Sequence, residues 1–164
     1  MGEPVAYNRA GVKRRLKFIA TALLPNAEVV YGWPGENVAI SGLWFGRPDG
    51  ISEPESLGFG QKLTQDRFMI PVAMSRSGYL TAEDAERGVE EWLRLLDDVL
   101  RNRLHHLKDK TGAIPDGDTE DYRGIRSAYI GQVAGPGTNL PQPTQDSSIV
   151  GGVAFEINCV TQLS

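Results

Sequence analysis

Few residues of this chain combine a type and a spacing that could support catalysis or metal binding. The two histidines, His105 and His106, are adjacent. Neighbouring side chains on a helix point about 100° apart, so both rings cannot easily bind one metal ion, and we interpret them as cations near the end of a helix. The single cysteine, Cys159, alternates with Phe155 and Ile157 on one side of a strand pattern. That position is typical of a buried, inert thiol.

Glycine-rich segments are the next candidates, because the backbone amides of such loops can bind phosphate groups. GFGQKL, from Gly58, and GPGTNL, from Gly135, each lack the third glycine of a dinucleotide-binding fingerprint, and no helix pattern follows them. SRSGY, from Ser75, lacks the first glycine of a nucleophile elbow. The acidic residues 109–122 do not have EF-hand spacing. We therefore expect no catalytic, cofactor-binding or metal-binding residues, and no enzymatic activity.

Two alternatives of other classes stay open at this point. An enzyme with a site built from loops would need polar groups that converge, and the candidates are Asp66, Arg67, Tyr122 and Arg126. A nucleic-acid-binding module would use the basic residues Arg9, Lys13, Arg14 and Lys17. The net charge of −4 argues against the second alternative, because contacts to phosphates require a surplus of basic residues. Catalytic turnover would favour the enzyme, and salt-dependent binding to DNA would favour the module.

The strongest periodic pattern predicts a long helix over residues 81–108. Its apolar residues recur at steps of three and four, which places them on one face of a helix. They are Ala82, Ala85, Val89, Trp92, Leu93, Leu96, Val99, Leu100, Leu104 and Leu107. Thr81 can cap the first turn through its hydroxyl, and Asp84 stands where a capping box has its carboxylate. We expect the apolar face to be buried against a sheet.

A second amphipathic helix is predicted over residues 7–24. Its apolar residues Val12, Leu16, Ile19 and Leu23 recur at helical spacing, and Pro25 ends the pattern. Five basic residues cover much of the remaining surface, namely Arg9, Lys13, Arg14, Arg15 and Lys17. We interpret them as the solvated side of the helix, which could also contact another subunit.

Strands are predicted over residues 28–31, 37–45, 67–75, 124–133 and 149–163. The first two are joined by a turn in GWPGE, and the last two pair, with the last strand central or penultimate in the sheet. Pro71 lacks an amide donor, so the third strand should lie at an open edge or be bulged. Residues 46–64, 109–122 and 134–148 are predicted to be irregular loops.

These elements predict an α+β fold with a single domain over residues 1–164. An antiparallel β-sheet would pack against a long central α-helix and an N-terminal α-helix, with long irregular loops between them. The chain has 164 residues, of which 40% are hydrophobic, enough for its own core. No segment approaches the ~20 apolar residues of a membrane span, so we expect no membrane partner. One cysteine permits no internal disulfide, which is consistent with synthesis and folding in a reducing cytoplasm.

A domain without evident chemistry, with an open edge and long loops, is typical of an assembly component. Four segments carry a resemblance to a known family: FMIPVAMSR, TAEDAERGVEEW, GIRSAYIGQVAG and GGVAFEINCVT. In their order, and with the N-terminal amphipathic helix, the chain resembles the tail terminator (tail completion) proteins of long noncontractile-tailed bacteriophages over residues 5–163.

The resemblance implies a self-assembled, hexameric ring that caps the tail tube and joins it to the head-side connector. Its partners would be further copies of the chain, the tail tube protein and the connector or neck protein. DNA would pass through the channel without sequence-specific binding. The protein would be found in the virion, at the head-proximal end of the tail, and in the host cytoplasm during assembly. The nearest alternative is another head–tail joining or neck protein. We expect residues 46–64 and 134–148 to contact the tube or the connector.

Overall fold

The computed structural model describes residues 7–32, 41–55, 63–102, 125–137 and 149–163. Its two helices are α1 (Arg9–Leu23) and α2 (Ala82–Asn102). Its six strands are β1 (Glu28–Val30), β2 (Gly42–Phe45), β3 (Asp49–Glu55), β4 (Leu63–Tyr79), β5 (Ile125–Gly137) and β6 (Ile149–Leu163). The predicted α+β fold, a mostly antiparallel sheet covered by two helices, is confirmed.

Several predictions fall outside the described residues. They are the end of the long helix with both histidines (103–108), the acidic loop (109–122), part of the GWPGE turn and of the strand at 37–45, and most of the loop at 134–148.

The strands form one sheet in the order β1-β2-β4-β6-β5, with β3 pairing to β4 beyond the end of β2. β6 pairs with β5 and is penultimate, as predicted. β1 and β2 run parallel, with Glu28 opposite Gly42 and Val30 opposite Trp44. Residues 33–40 lie outside the described part, so the turn in GWPGE stays a prediction.

The prediction that residues 46–64 form an irregular loop is wrong for residues 49–55 and 63–64, while residues 56–62 lie outside the described part. Residues 49–55 are β3, which pairs with β4 from Asp49 opposite Met69 to Glu55 opposite Leu63. Gly50 has a steric role in this pairing, because a Cβ there would collide with the carbonyl oxygen of Arg67 and the backbone of Phe68. Likewise, β5 continues to residue 137, beyond its predicted end at 133.

β4 is not the edge strand that its proline predicted. It lies inside the sheet, between β6 on one side and β2 and β3 on the other. The carbonyl oxygen of Pro71 accepts a 2.6 Å bond from the amide of Gly46. Both backbone groups of a strand residue point to the same side, so the missing donor of Pro71 faces the break between β2 and β3. The proline therefore costs no hydrogen bond to β6.

One face of the sheet carries the core. Alternate residues of β4 and β6 point to this face, and the apolar stripes of both helices pack on it. The buried residues include Val12, Leu16 and Ile19 of α1, Val89, Trp92 and Leu96 of α2, Phe68, Ile70, Val72 and Met74 of β4, and Val153, Phe155, Ile157 and Cys159 of β6. The predicted burial of the α2 stripe is confirmed from Ala85 to Leu100, whereas Ala82 is exposed and Leu104 and Leu107 lie outside the described part. The amide of Asp84 donates to the Thr81 hydroxyl at 3.2 Å, as expected of a cap.

Arg76 joins β4 to α2 on this side of the sheet. Its guanidinium lies over the ring of Trp92, 4.6 Å from the centroid, and 5.7 Å from that of Tyr79. It also donates a 2.9 Å hydrogen bond to the carbonyl oxygen of Gly88. Cation–π contacts of this kind hold the long helix in a defined position on the sheet.

Candidate interaction surface

The polar residues considered for a loop-built enzyme site do not converge where the structure describes them. Asp66 is fully buried on the core face, where its carboxylate accepts bonds from Nε of Arg9 at 2.9 Å and from Nη2 at 2.7 Å. Arg67, the next residue of β4, points to the opposite face and donates to Gln65 at 3.0 Å. Tyr122 and the side chain of Arg126 lie outside the described part. The Asp66–Arg9 pair thus ties α1 to β4.

The basic surface of α1 is mostly used inside the molecule, so its interpretation as a solvated side is wrong for three of five residues. Arg9 binds Asp66. Lys13 is 5% exposed, with its ammonium 4.1 Å from the centroid of the Tyr31 ring, and burial lowers its pKa. Arg15 is 1% exposed and stacks on Phe18. Only Arg14 and Lys17 remain at the surface, which leaves little basic surface for nucleic acid.

The cysteine has the position expected of an inert thiol. Cys159 is buried in the core face of β6, and its Sγ donates a weak 3.9 Å bond to the carbonyl oxygen of Ile157. Burial, with a smaller contribution from the charge of Asp66, raises the pKa of the thiol to about 12. A thiol that stays protonated at neutral pH is a poor nucleophile.

The described residues show no candidate metal site and no candidate membrane span. Within those ranges, no three His, Cys, Asp or Glu side chains lie close enough together to hold a metal ion. Neither α1 nor α2, over the residues described, combines the length and the apolar character needed to cross a membrane.

The face of the sheet opposite the helices is the most unusual surface of the described structure. We call it the open face and define it by the outward residues of β2 to β6. Antiparallel sheets with one solvated face normally place polar residues there. The outward residues here include the apolar Ile51, Met69, Pro71, Ala73, Tyr129, Ala154 and Val160 beside the polar Arg67, Asn158 and Glu156. Of the apolar residues, Ile51 is 63% and Tyr129 52% exposed.

The strand register brings the largest of these side chains together. Met69 lies opposite Asn158, which lies opposite Tyr129, and this row crosses β4, β6 and β5. In the adjacent row, Ile51 lies opposite Arg67 and Arg67 opposite Val160. A shallow groove of about 490 Å³ lies over the two rows. Asn158 and Arg67 lie in the middle of the two rows, between apolar side chains. A surface that mixes exposed aromatic and aliphatic side chains with polar ones and an arginine is typical of a protein–protein contact surface.

The sequence matches no protein-family model, and no curated protein is similar to it at a significant level. The open face must therefore be interpreted from its own geometry. Part of its signal was visible in the sequence, because Met69, Pro71 and Ala73 alternate with the core residues of β4 and make both faces of that strand apolar. The contributions of Ile51 and Tyr129 depend on strand pairing and could not be read from spacing.

Proposed function

We propose that this chain is a structural protein of bacteriophage assembly, a tail terminator that forms a ring on the tail tube. In this proposal the ring, a hexamer by resemblance, joins the tube to the head-side connector, and DNA passes through it without sequence-specific contacts. The protein would assemble in the host cytoplasm and end at the head-proximal end of the tail.

The observation that carries the proposal is the open face. A domain that packs both helices on one side of its sheet, and leaves large apolar side chains on the other, gains stability when a protein surface covers the open side. Burying apolar area contributes about 25 cal/mol per Å². Tyr129 and Ile51, each more than half exposed, are the side chains that would gain most from such a contact.

The polar groups of the described structure also fit a structural role better than a catalytic one. Asp66 and Arg9 neutralise each other within the fold, and the Cys159 thiol is held protonated. A catalytic site would instead direct such groups to a pocket that a substrate could enter. The groove on the open face is shallow, and its polar members, Arg67, Asn158 and Asp49, lie among apolar side chains of the same two rows.

Tail tubes polymerised with and without the purified chain would test the proposal. We expect the chain to stop tube growth, so that the tubes become shorter and show extra density at one end in negative-stain microscopy. Bare ends and unchanged tube lengths would contradict it. Capped ends with unchanged lengths would instead indicate another head–tail joining protein, because such a protein binds the tube without terminating its growth.

A further inference from the structure

The side of α1 that points away from the sheet is a second exposed surface, with one aromatic residue among small and basic ones. We call it the outer face of α1 and define it by Ala10, Arg14, Lys17, Phe18, Thr21 and Ala22. Phe18 is 41% exposed in spite of its contact with Arg15. The small residues at both ends of this face would allow another backbone to approach closely. The one large apolar side chain of this face is that of Phe18, and its charged residues, Arg14 and Lys17, are both basic.

We propose that the outer face of α1 from a second copy of this chain occupies the open face of the sheet. The inference deepens the proposed function, because it names the self-contact from which a ring would be built. Phe18 of one copy would enter the groove over the row of Met69 and Tyr129 and the row of Ile51 and Val160, and its burial would add to theirs.

Charge complementarity favours this occupant. The charged residues on the outer face of α1, Arg14 and Lys17, are both basic. On the open face, Asp49 of β3 carries a carboxylate, beside the cation of Arg67. Glu156 adds another carboxylate on the outward side of β6. The outer face of α1 would thus bring positive charge to a surface whose carboxylates outnumber its cations. A second open face would instead meet it with like charge.

The dimensions of the two surfaces also match. α1 has 15 residues and is about 22 Å long. Four strands at ~4.8 Å spacing and residues 67–75 at ~3.3 Å per residue define an open face of roughly 600 Å². A helix about 10 Å wide covers only part of that area, so the contact would be smaller than a standard specific interface. The helix would cross nearly the full width of the four strands.

The contact joins two different surfaces on opposite sides of a two-layer domain. It is therefore heterologous, and each copy uses its open face for one neighbour and its α1 for the other. Contacts of this kind generate rings when the rotation between copies closes, and open filaments when it does not. A face-to-face contact between two sheets would instead stop at a dimer.

Two single variants, analysed alone and mixed, distinguish these arrangements. Tyr129→Lys places a cation on the open face, and Phe18→Glu places an acid on the outer face of α1 while leaving Arg15 an oppositely charged neighbour. We expect each variant alone to dissociate, with an apparent dissociation constant roughly tenfold or more above that of the unaltered chain. Mixed in equal amounts, they should form dimers only, because one intact open face and one intact α1 remain. Analytical ultracentrifugation over a wide concentration range measures both results.

Leu80→Lys is the matched control, because Leu80 is 88% exposed and belongs to neither surface. This variant should associate like the unaltered chain, and unchanged thermal melting of all three variants would show that their folds are intact. Self-association of Phe18→Glu alone would overturn the proposal in favour of sheet-to-sheet packing. Undiminished association of Tyr129→Lys, or an unaltered chain that stays monomeric at every concentration, would also overturn it.

The self-contact and the proposed function are tested by separate measurements. Ultracentrifugation needs only the purified chain, whereas termination is scored on tail tubes. A monomeric chain that still shortens tubes would refute the self-contact and leave the proposed function standing. Head-to-tail association without any effect on tubes would support the self-contact and refute the proposed function.

Discussion

Gly151 of β6 lies directly against Ala85 of α2, so that no Cβ fits between the strand and the helix backbone. A Cβ at Gly151 would collide with the Ala85 carbonyl oxygen and come within 2.8 Å of Val89. Backbone cannot move aside as the end of a long side chain can. The close approach of α2 to the sheet thus depends on the absence of one carbon atom.

We expect Gly151→Ala to destabilise the fold by about 1–3 kcal/mol, the usual cost of overpacking a well-packed core, although alanine suits a strand better than glycine does. Chemical denaturation would measure the loss. Gly32→Ala is the control, because a Cβ at Gly32 meets nothing within 4 Å. Equal stability of the two variants would mean that α2 lies further from β6.

The apolar stripe of α2 gives a second prediction. Leu96 is fully buried, and we expect Leu96→Ala to cost about 2–5 kcal/mol because it leaves a cavity in the core. Trp92→Ala should cost about 3–5 kcal/mol, since it also removes the ring on which Arg76 stacks. Leu95→Ala, at a 38% exposed position of the same helix, is the control and should change the denaturation midpoint little. A near-zero effect at Leu96 would show that this face is not buried.

The ion pair between Arg9 and Asp66 gives a third prediction. Arg9→Met removes two charge-assisted hydrogen bonds from the buried carboxylate of Asp66. We expect this to lower the free energy of unfolding by about 2–3 kcal/mol. This is below the ~3–5 kcal/mol of a fully buried pair, because Arg9 remains 27% exposed to screening solvent. The double variant Arg9→Met/Asp66→Leu should recover part of that loss, because no buried charge is then left. Strictly additive losses in the double-mutant cycle would refute this coupling.

The Cys159 thiol gives a prediction about pH. Its pKa is raised from a usual 9.0 to about 12 in the folded state. Between these values the unfolded chain loses the thiol proton and the folded chain keeps it, so stability falls as pH rises. Below about pH 9 the thiol contributes no pH dependence. The ionisation of the thiol lowers the free energy of unfolding by at most about 1.4 kcal/mol per pH unit.

Thermal melting from pH 8 to 11 of the unaltered chain and of Cys159→Ala would test this, because other groups that titrate are common to both proteins. The stability difference between them should shrink as pH rises above about 9. A constant difference would mean that the thiol ionises as easily in the folded chain as in the unfolded one.

Elements with a complete amphipathic pattern could be predicted from the sequence. The apolar stripes of α1 and α2 pack against the sheet whatever the order of its strands. In β6, the alternation of residues identifies those that face the core, and this does not depend on which strands lie beside it. β3 could not be predicted, because Gly50 and Pro54 interrupt its pattern and its pairing with β4 holds it in place. Pro71 was misleading for a related reason, since its missing donor faces a break in the neighbouring strands.

The candidate surface was less accessible to prediction than the fold. The apolar residues on both faces of β4 were visible as a pattern, but which face the helices cover depends on packing. The burial of Lys13 depends on Tyr31, which lies beyond the end of the helix that carries the lysine. Long aliphatic stems allow basic residues to be buried while their charged ends find partners, so charge in a sequence does not by itself indicate exposure.

The strand order has a kinetic consequence. In the described part of the chain, β5 pairs only with β6, which follows it in sequence, and β6 pairs with β4, about seventy to a hundred residues earlier. β5 therefore has no partner strand until β6 has been synthesised, and it joins the sheet only through β6. Contacts between such distant segments slow folding, because a long stretch of chain must be ordered before they form. During that delay the flank of β4 is bare, so a chaperone that shields it would raise the yield of folded subunits more than one that binds either helix.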